Sequence, residues 1–219
     1  MSSLRKSVKS PQLSRELQGW LPQPLTDEAR LQDLLIADCD LTKTTARHLE
    51  IERCVLKTVA FRDAVLPNIT MRDTKLETSD FANASCTDSF FGRVHICNSR
   101  LVGWNVTGSS FRDVLMLSNN CELAYFRFSK MHCVQFIDCN LREADFHRAD
   151  LRSVVFRRCN LDGAQLSGCK LQGTDFRGSN INNIRVNSQD LAGAIVDPLQ
   201  ASYIAGLLGV RIMTEEEDV

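Results

Sequence analysis

The chain has no apolar run long enough to span a membrane and no signal-peptide pattern at its start, so the cytosol is the expected compartment. It also lacks an excess of either charge: 26 Lys and Arg stand against 27 Asp and Glu, for a formal net charge of −1. That balance argues against a strongly basic nucleic-acid binder, and equally against a strongly acidic imitation of DNA. None of the nine cysteines forms a Cys-x-x-Cys motif. His48, His95, His132 and His147 are scattered, without ligand spacing or a paired nucleophile. No glycine-rich phosphate loop occurs. The reading is therefore of a protein that is not an enzyme, with no catalytic residue, no cofactor and no metal.

What is present is a period of five. Every fifth residue from Leu31 to Val196 is apolar, 34 positions out of 34, and the phase never slips. A period of five matches neither the helix period of about 3.6 nor the strand period of about 2. Two residues before each centre runs a second column of mostly small residues, such as Cys39, Ala64, Ser79, Ala144 and Cys159. Asp or Asn often sits between the two columns. The clearest stretch is Cys139-Asn140-Leu141-Arg142-Glu143, then Ala144-Asp145-Phe146-His147-Arg148.

This pattern resembles the pentapeptide-repeat family over residues 29–197. The resemblance implies that each pentapeptide makes one side of a square and that four make one right-handed coil. The fold expected is an all-β solenoid, a right-handed quadrilateral β-helix of about eight coils, each adding about 4.8 Å. Positions 20 apart then share a column. Met116, Phe136, Phe156 and Phe176 should stack, and nine of the eleven phenylalanines lie at repeat centres. Seven cysteines (Cys39, Cys54, Cys86, Cys121, Cys139, Cys159, Cys169) fall in inward columns, where they act as small hydrophobes. Cys97 and Cys133 fall outside them. Glycines two residues after a centre suit corners that need positive φ.

Three segments are expected: an extension with a capping helix over 1–28, the β-helix over 29–197, and a dimerisation helix with an acidic tail over 198–219. Residues 1–9 are expected to lack fixed structure. Ser10-Pro11 reads as a helix start, and Leu13, Leu17, Trp20 and Leu21 then share one helical face. That helix would cover the first coil or bind a partner. At the other end Asp197, Pro198 and Gln200 read as N-cap, first helical residue and capping-box partner.

Gln200-Ala201-Ser202 and Leu208-Gly209-Val210-Arg211-Ile212 resemble the C-terminal segment of the quinolone-resistance (Qnr-type) members of the family. The resemblance implies a tail-to-tail homodimer with a seam of Leu199, Tyr203, Ile204, Leu207, Leu208 and Val210. It implies binding to DNA gyrase or topoisomerase IV and modulation of, or protection against, their poisons. DNA mimicry by the tower, claimed for a loop-free relative, fits poorly with the neutral charge. Neither direct nucleic-acid binding nor membrane attachment is expected. The alternatives are a scaffold or regulatory module for an unrelated partner, or an effector delivered into a host.

One irregularity stands out. Trp104 and Asn119 occupy the small-residue column. Nearby off-core positions turn apolar: Leu115, Leu117, Tyr125, Phe128 and Ile137. Either the coil relaxes outward around a bulky Trp, or a partner patch of Trp104, Leu117, Ile137 and Phe128 lies halfway up the tower. Glu122, Glu143 and Asp162 are candidate acidic contacts on one face, with Arg142 among them.

Overall fold

The computed structural model describes residues 7–213. The acidic tail from 214 onward lies outside the described residues, as do residues 1–6. From the first coil on, the backbone climbs 20 residues per turn. The described strands are β1 (Gln18–Gly19), β2 (Arg30–Gln32), β3 (Leu34–Asp40), β4 (Glu50–Glu52), β5 (Val55–Ala60), β6 (Thr70–Glu77), β7 (Phe90–Cys97), β8 (Ser110–Leu117), β9 (Lys130–Ile137) and β10 (Val155–Arg157). They pair in parallel in the order β1-β3-β5-β6-β7-β8-β9-β10, with β2 and β4 joining at β6. Above the β1–β3 pair the register is constant at 20 residues: Met71 lies opposite Phe91, Phe91 opposite Phe111, and Phe111 opposite Met131.

Four lines of pairing run up the tower, five residues apart, and define four faces. Face one passes through Ser110 and Lys130, and face two through Leu115 and Gln135. Face three passes through Asn120 and Asn140, and face four through Tyr125 and Asp145. Face four alone links Thr45, Val65, Ser85, Asn105, Tyr125, Asp145, Gln165 and Arg185 by seven bridges. Eight rungs are thus joined by seven steps, a parallel β-solenoid of about the expected height.

The corners explain why a five-residue repeat turns a square. At every fifth residue from Glu28 to Asn183, two after each centre, φ is positive. Glycine takes this conformation freely at Gly103, Gly163 and Gly173. Most corners, however, use other residues, including β-branched Thr58 (φ 56) and bulky Phe128 (φ 56). Left-handed backbone costs such residues roughly 1–2 kcal/mol each. The continuous ladders and filled core between corners offset that cost.

All centres from Leu31 to Ile181 are buried. Phe136, Phe156 and Phe176 stack with ring centroids 5.1 and 5.2 Å apart. Phe61 stacks on Phe81, and Phe126 on Phe146. Six of the seven inward cysteines are buried and Cys39 is half-buried; none is in a disulfide. Burial pushes the Cys86 thiol up to about 12, although the Trp104 indole N–H donates to its sulfur. Near the top the backbone departs from the rule. A 3₁₀ turn at Ser188–Leu191 replaces one corner, and Val186, Leu191 and Val196 are half-buried.

The N-terminal extension differs from expectation. No helix forms between Ser10 and Leu21. Residues 7–14 run extended along the outside of the tower, and Gln18–Gly19 adds a strand to the edge of β3. The unpaired edge of the first coil offers backbone hydrogen bonds: Gln18 N–H donates to Asp33 O and Trp20 N–H to Leu35 O. Those bonds outweigh the helical spacing of the leucines. Covering that edge is the task assigned to the expected helix, done here by a strand.

At the top, α1 (Pro198–Leu207) is the one α-helix among the described residues. Its N-cap is as read from the sequence: Gln200 N–H donates to Asp197, and the Gln200 side chain accepts from Asp197 N–H, both at 3.0 Å. The Gln200 amide has a second task. Its Nε2 donates to Phe176 O and Ser179 O at 2.7 Å each, plugging the carbonyls that a further coil would have satisfied.

Candidate functional site

Three surfaces emerge from this scaffold. The first is the C-terminal cap. Tyr203 and Ile204 are half-buried against the last coil, and the Tyr203 hydroxyl accepts from Asn183 N–H. Leu199, Leu207, Leu208 and Val210 point away: Leu199 is 85% exposed, and the others about half. Ile212 and Met213 are exposed as well. Of the six residues read as a dimer seam, two therefore serve the cap within the chain, and four form an apolar end surface. Isolated exposed leucines are ordinary, but several exposed apolar residues on one short terminal segment are what an association surface would use.

The second surface is the mid-tower irregularity, and here the sequence reading needs correction. Trp104 is 1% exposed. It packs edge-on against Phe81, Phe91 and Phe126 at 5.5–6.2 Å. Asn119 is buried too, and extends a serine ladder. Val59 N–H donates to Ser79, Ser79 N–H to Ser99, and Ser99 N–H to Asn119 Oδ1. Its amide donates to Ile96 O at 2.7 Å. Both residues are thus core fittings.

The remaining apolar residues do not form one patch. Cys97, Leu117 and Ile137 do stack in register on face two, half-buried. Tyr125 and Phe128 lie on and beside face four, across the tower from face two, with Phe128 48% exposed and edge-on to His147.

The acidic trio is partly paired from within. Arg142 Nε donates to Glu122 at 3.0 Å and its Nη1 to Glu143 at 2.8 Å. Asp162 accepts from Asn183 Nδ2 at 2.7 Å. A face whose carboxylates are bound by its own arginine and asparagine is a poor imitation of a phosphate backbone. No group of three or more His, Cys, Asp or Glu among the described residues could hold a metal ion.

The third surface was not read from the sequence. Along the corner between faces one and two the column runs Asp33, Arg53, Asp73, Arg93, Asp113, then Cys133, Ser153, Gly173. Arg53 grips Asp33, and Arg93 grips Asp73. The N-terminal segment lies on this column: Gln12 N–H donates to Asp73 at 2.9 Å and Lys9 N–H to Asp113 at 3.3 Å. Beyond Asp113 the corner side chains become small, and a groove of about 1000 Å³ opens over Cys133, Ser153 and Gly173. The signal in the sequence was the switch from Asp and Arg to Cys, Ser and Gly at a spacing of 20.

Residues 129–197 match a family described as "Pentapeptide repeat region". No curated protein matches the chain. Among solved structures, HetL, a pentapeptide repeat protein involved in heterocyst differentiation regulation from the cyanobacterium Nostoc sp. strain PCC 7120, is 16% identical, with 77% of this chain and 87% of that one covered and a TM-score of 0.43. A trypsin-treated form of QnrB1, a plasmid-mediated fluoroquinolone resistance protein, is 15% identical over 86% of this chain and 100% of that one, with a TM-score of 0.39. At these scores the likenesses say nothing of what the chain does.

Proposed function

We propose that this chain, a pentapeptide-repeat protein, is a non-enzymatic binding protein that forms a homodimer through its C-terminal cap. Its proposed partner is a bacterial type II topoisomerase, DNA gyrase or topoisomerase IV, which it modulates or protects against inhibitors. The observation that carries the dimer is the apolar end surface of Leu199, Leu207, Leu208 and Val210, left uncovered by a cap that Gln200 and Tyr203 already complete. The resemblance of residues 200–212 to the Qnr-type segment supports the choice of partner. The partner would bind protein to protein: the tower's charges are balanced and largely paired within it.

A supercoiling assay tests the partner. Gyrase is titrated with this protein, with and without a poison. A change in supercoiling or in poison-induced cleavage at micromolar protein is expected; no effect in either arm contradicts the topoisomerase reading. The second reading, a scaffold for an unrelated partner, is favoured by the Arg142–Glu122–Glu143 cluster, which lessens the negative charge that mimicry would need. It predicts a dimer that leaves gyrase untouched.

A further inference from the structure

The corner between faces one and two changes character above Asp113. Below it, corner oxygens take N–H donors from the extended N-terminal segment: Gln18 donates to Asp33 O, Gln12 to the Asp73 carboxylate and Lys9 to that of Asp113. Above it, the column is Cys133, Ser153 and Gly173, and the groove opens. The Ser153 and Gly173 carbonyls accept no backbone hydrogen bond among the described residues. They are the same kind of acceptor that Asp33 O offers to Gln18.

The groove also departs from the charge balance of the tower. Five cations stand on or beside it, Arg112, Lys130, Arg152, Lys170 and Arg177, against the carboxylates of Asp150 and Asp175. Both carboxylates are committed. Asp150 lies 2.6 Å from Arg152 and 3.8 Å from Lys170, and Asp175 lies 2.8 Å from Arg177. Arg112 and Lys130 are exposed and make no ion pair among the described residues. A chain of formal net charge −1 thus concentrates surplus positive charge here. Toward the upper end the lining turns aliphatic, with Val155 half-buried and Ile195 39% exposed. From Arg112 to Ile195 is about four coils, or about 19 Å, a length that about six extended residues span.

We propose that this groove docks an extended acidic peptide segment of a partner protein. Its carboxylates pair with Arg112 and Lys130, its backbone N–H groups meet the corner carbonyls, and its apolar side chains lie on Val155 and Ile195. Charge complementarity selects an anionic occupant. A nucleic-acid strand would use the cations but has no aliphatic side chain for Val155 and Ile195. The proposal is independent of the topoisomerase reading and of the dimer: a monomer that leaves gyrase untouched would still bind the peptide.

Fluorescence anisotropy with the full chain at physiological salt tests this. The probe is a labelled peptide of four glutamates followed by valine, serine, leucine and serine, used also in reversed order. An octathymidylate serves as the anionic comparison. At least one peptide is expected to bind saturably, with a dissociation constant of about 100 μM or below. Arg112→Glu with Lys130→Glu should weaken it at least about 10-fold. Ile195→Ser should weaken it at least about 3-fold. Lys43→Glu with Lys57→Glu, the same charge change away from the groove, should alter it less than about 2-fold. Thermal midpoints of all variants confirm that the tower is intact. Three outcomes overturn the proposal: neither peptide binds below about 1 mM, the two double variants weaken binding equally, or the octathymidylate binds as tightly as the peptide. The second would mean attraction by overall charge alone, and the third a groove for nucleic acid.

Discussion

Arg93 closes a two-pronged ion pair onto Asp73, one coil away in the same corner column, through Nε at 2.6 Å and Nη2 at 2.5 Å. The same carboxylate oxygen, Oδ1, accepts the Gln12 N–H. Asp73 is thus the point where the tower's own charge ladder and the N-terminal segment are joined, and it is 5% exposed. Asp73→Ala should lower stability by about 1–3 kcal/mol, since it strands a guanidinium and a backbone donor together. Denaturant unfolding measures this; an unchanged midpoint would show that the junction contributes nothing.

The same carboxylate sets an acid limit. Burial opposes its charge, but the Arg93 guanidinium and the Gln12 N–H outweigh burial and hold it below the ordinary carboxylate range. A depressed folded value contributes stability that is present above the unfolded pKa of about 3.9 and is lost as pH falls through the folded one. Thermal unfolding of Asp73→Asn should therefore fall less steeply than the wild type from about pH 4 downward. Parallel curves would assign acid sensitivity to other groups.

Corner strain gives an opposite-signed pair. Thr58→Gly relieves a β-branched residue at φ 56 and should stabilise by about 0.5–1 kcal/mol after the entropy of a freer unfolded chain is subtracted. Gly103→Ala should destabilise: φ is +66 there, and the new Cβ would lie 2.6 Å from Asn83 Oδ1. Both shifts are read from thermal midpoints, and equal signs would contradict the corner account.

Trp104 offers a core test. Trp104→Ala should cost about 3–5 kcal/mol, the range for emptying a buried aromatic site. A loss below about 1 kcal/mol, with altered partner binding instead, would restore Trp104 to the surface role that its burial denies it.

The tower was legible because one constraint repeats. Each coil must bury its centre and its small column, so Leu31 to Ile181 announce their positions in five-residue steps. The corners were only half legible. Glycines flagged some, but Asp73, Arg93 and Phe128 take the same backbone without any local signal, because the ladders impose it. Trp104 looked like a break in the rule and proved to be a large residue fitted among Phe81, Phe91 and Phe126. The N-terminal segment departs from its local pattern for a general reason. Leu13, Leu17 and Trp20 carry helical spacing, but the open edge of β3 and the corner carboxylates lie far away in sequence, and they decide the outcome. At the cap, Asp197 and Gln200 were readable as a local motif, whereas Gln200's reach to Phe176 and Ser179 was not.

Sedimentation equilibrium of the full chain, beside Leu207→Asp, decides whether the exposed apolar end joins two copies. Twice the 24.6 kDa chain mass is expected for the wild type at micromolar concentration, and the single-chain mass for the variant. A wild-type monomer, or a dimer that Leu207→Asp leaves intact, would show that this end does not hold two copies together.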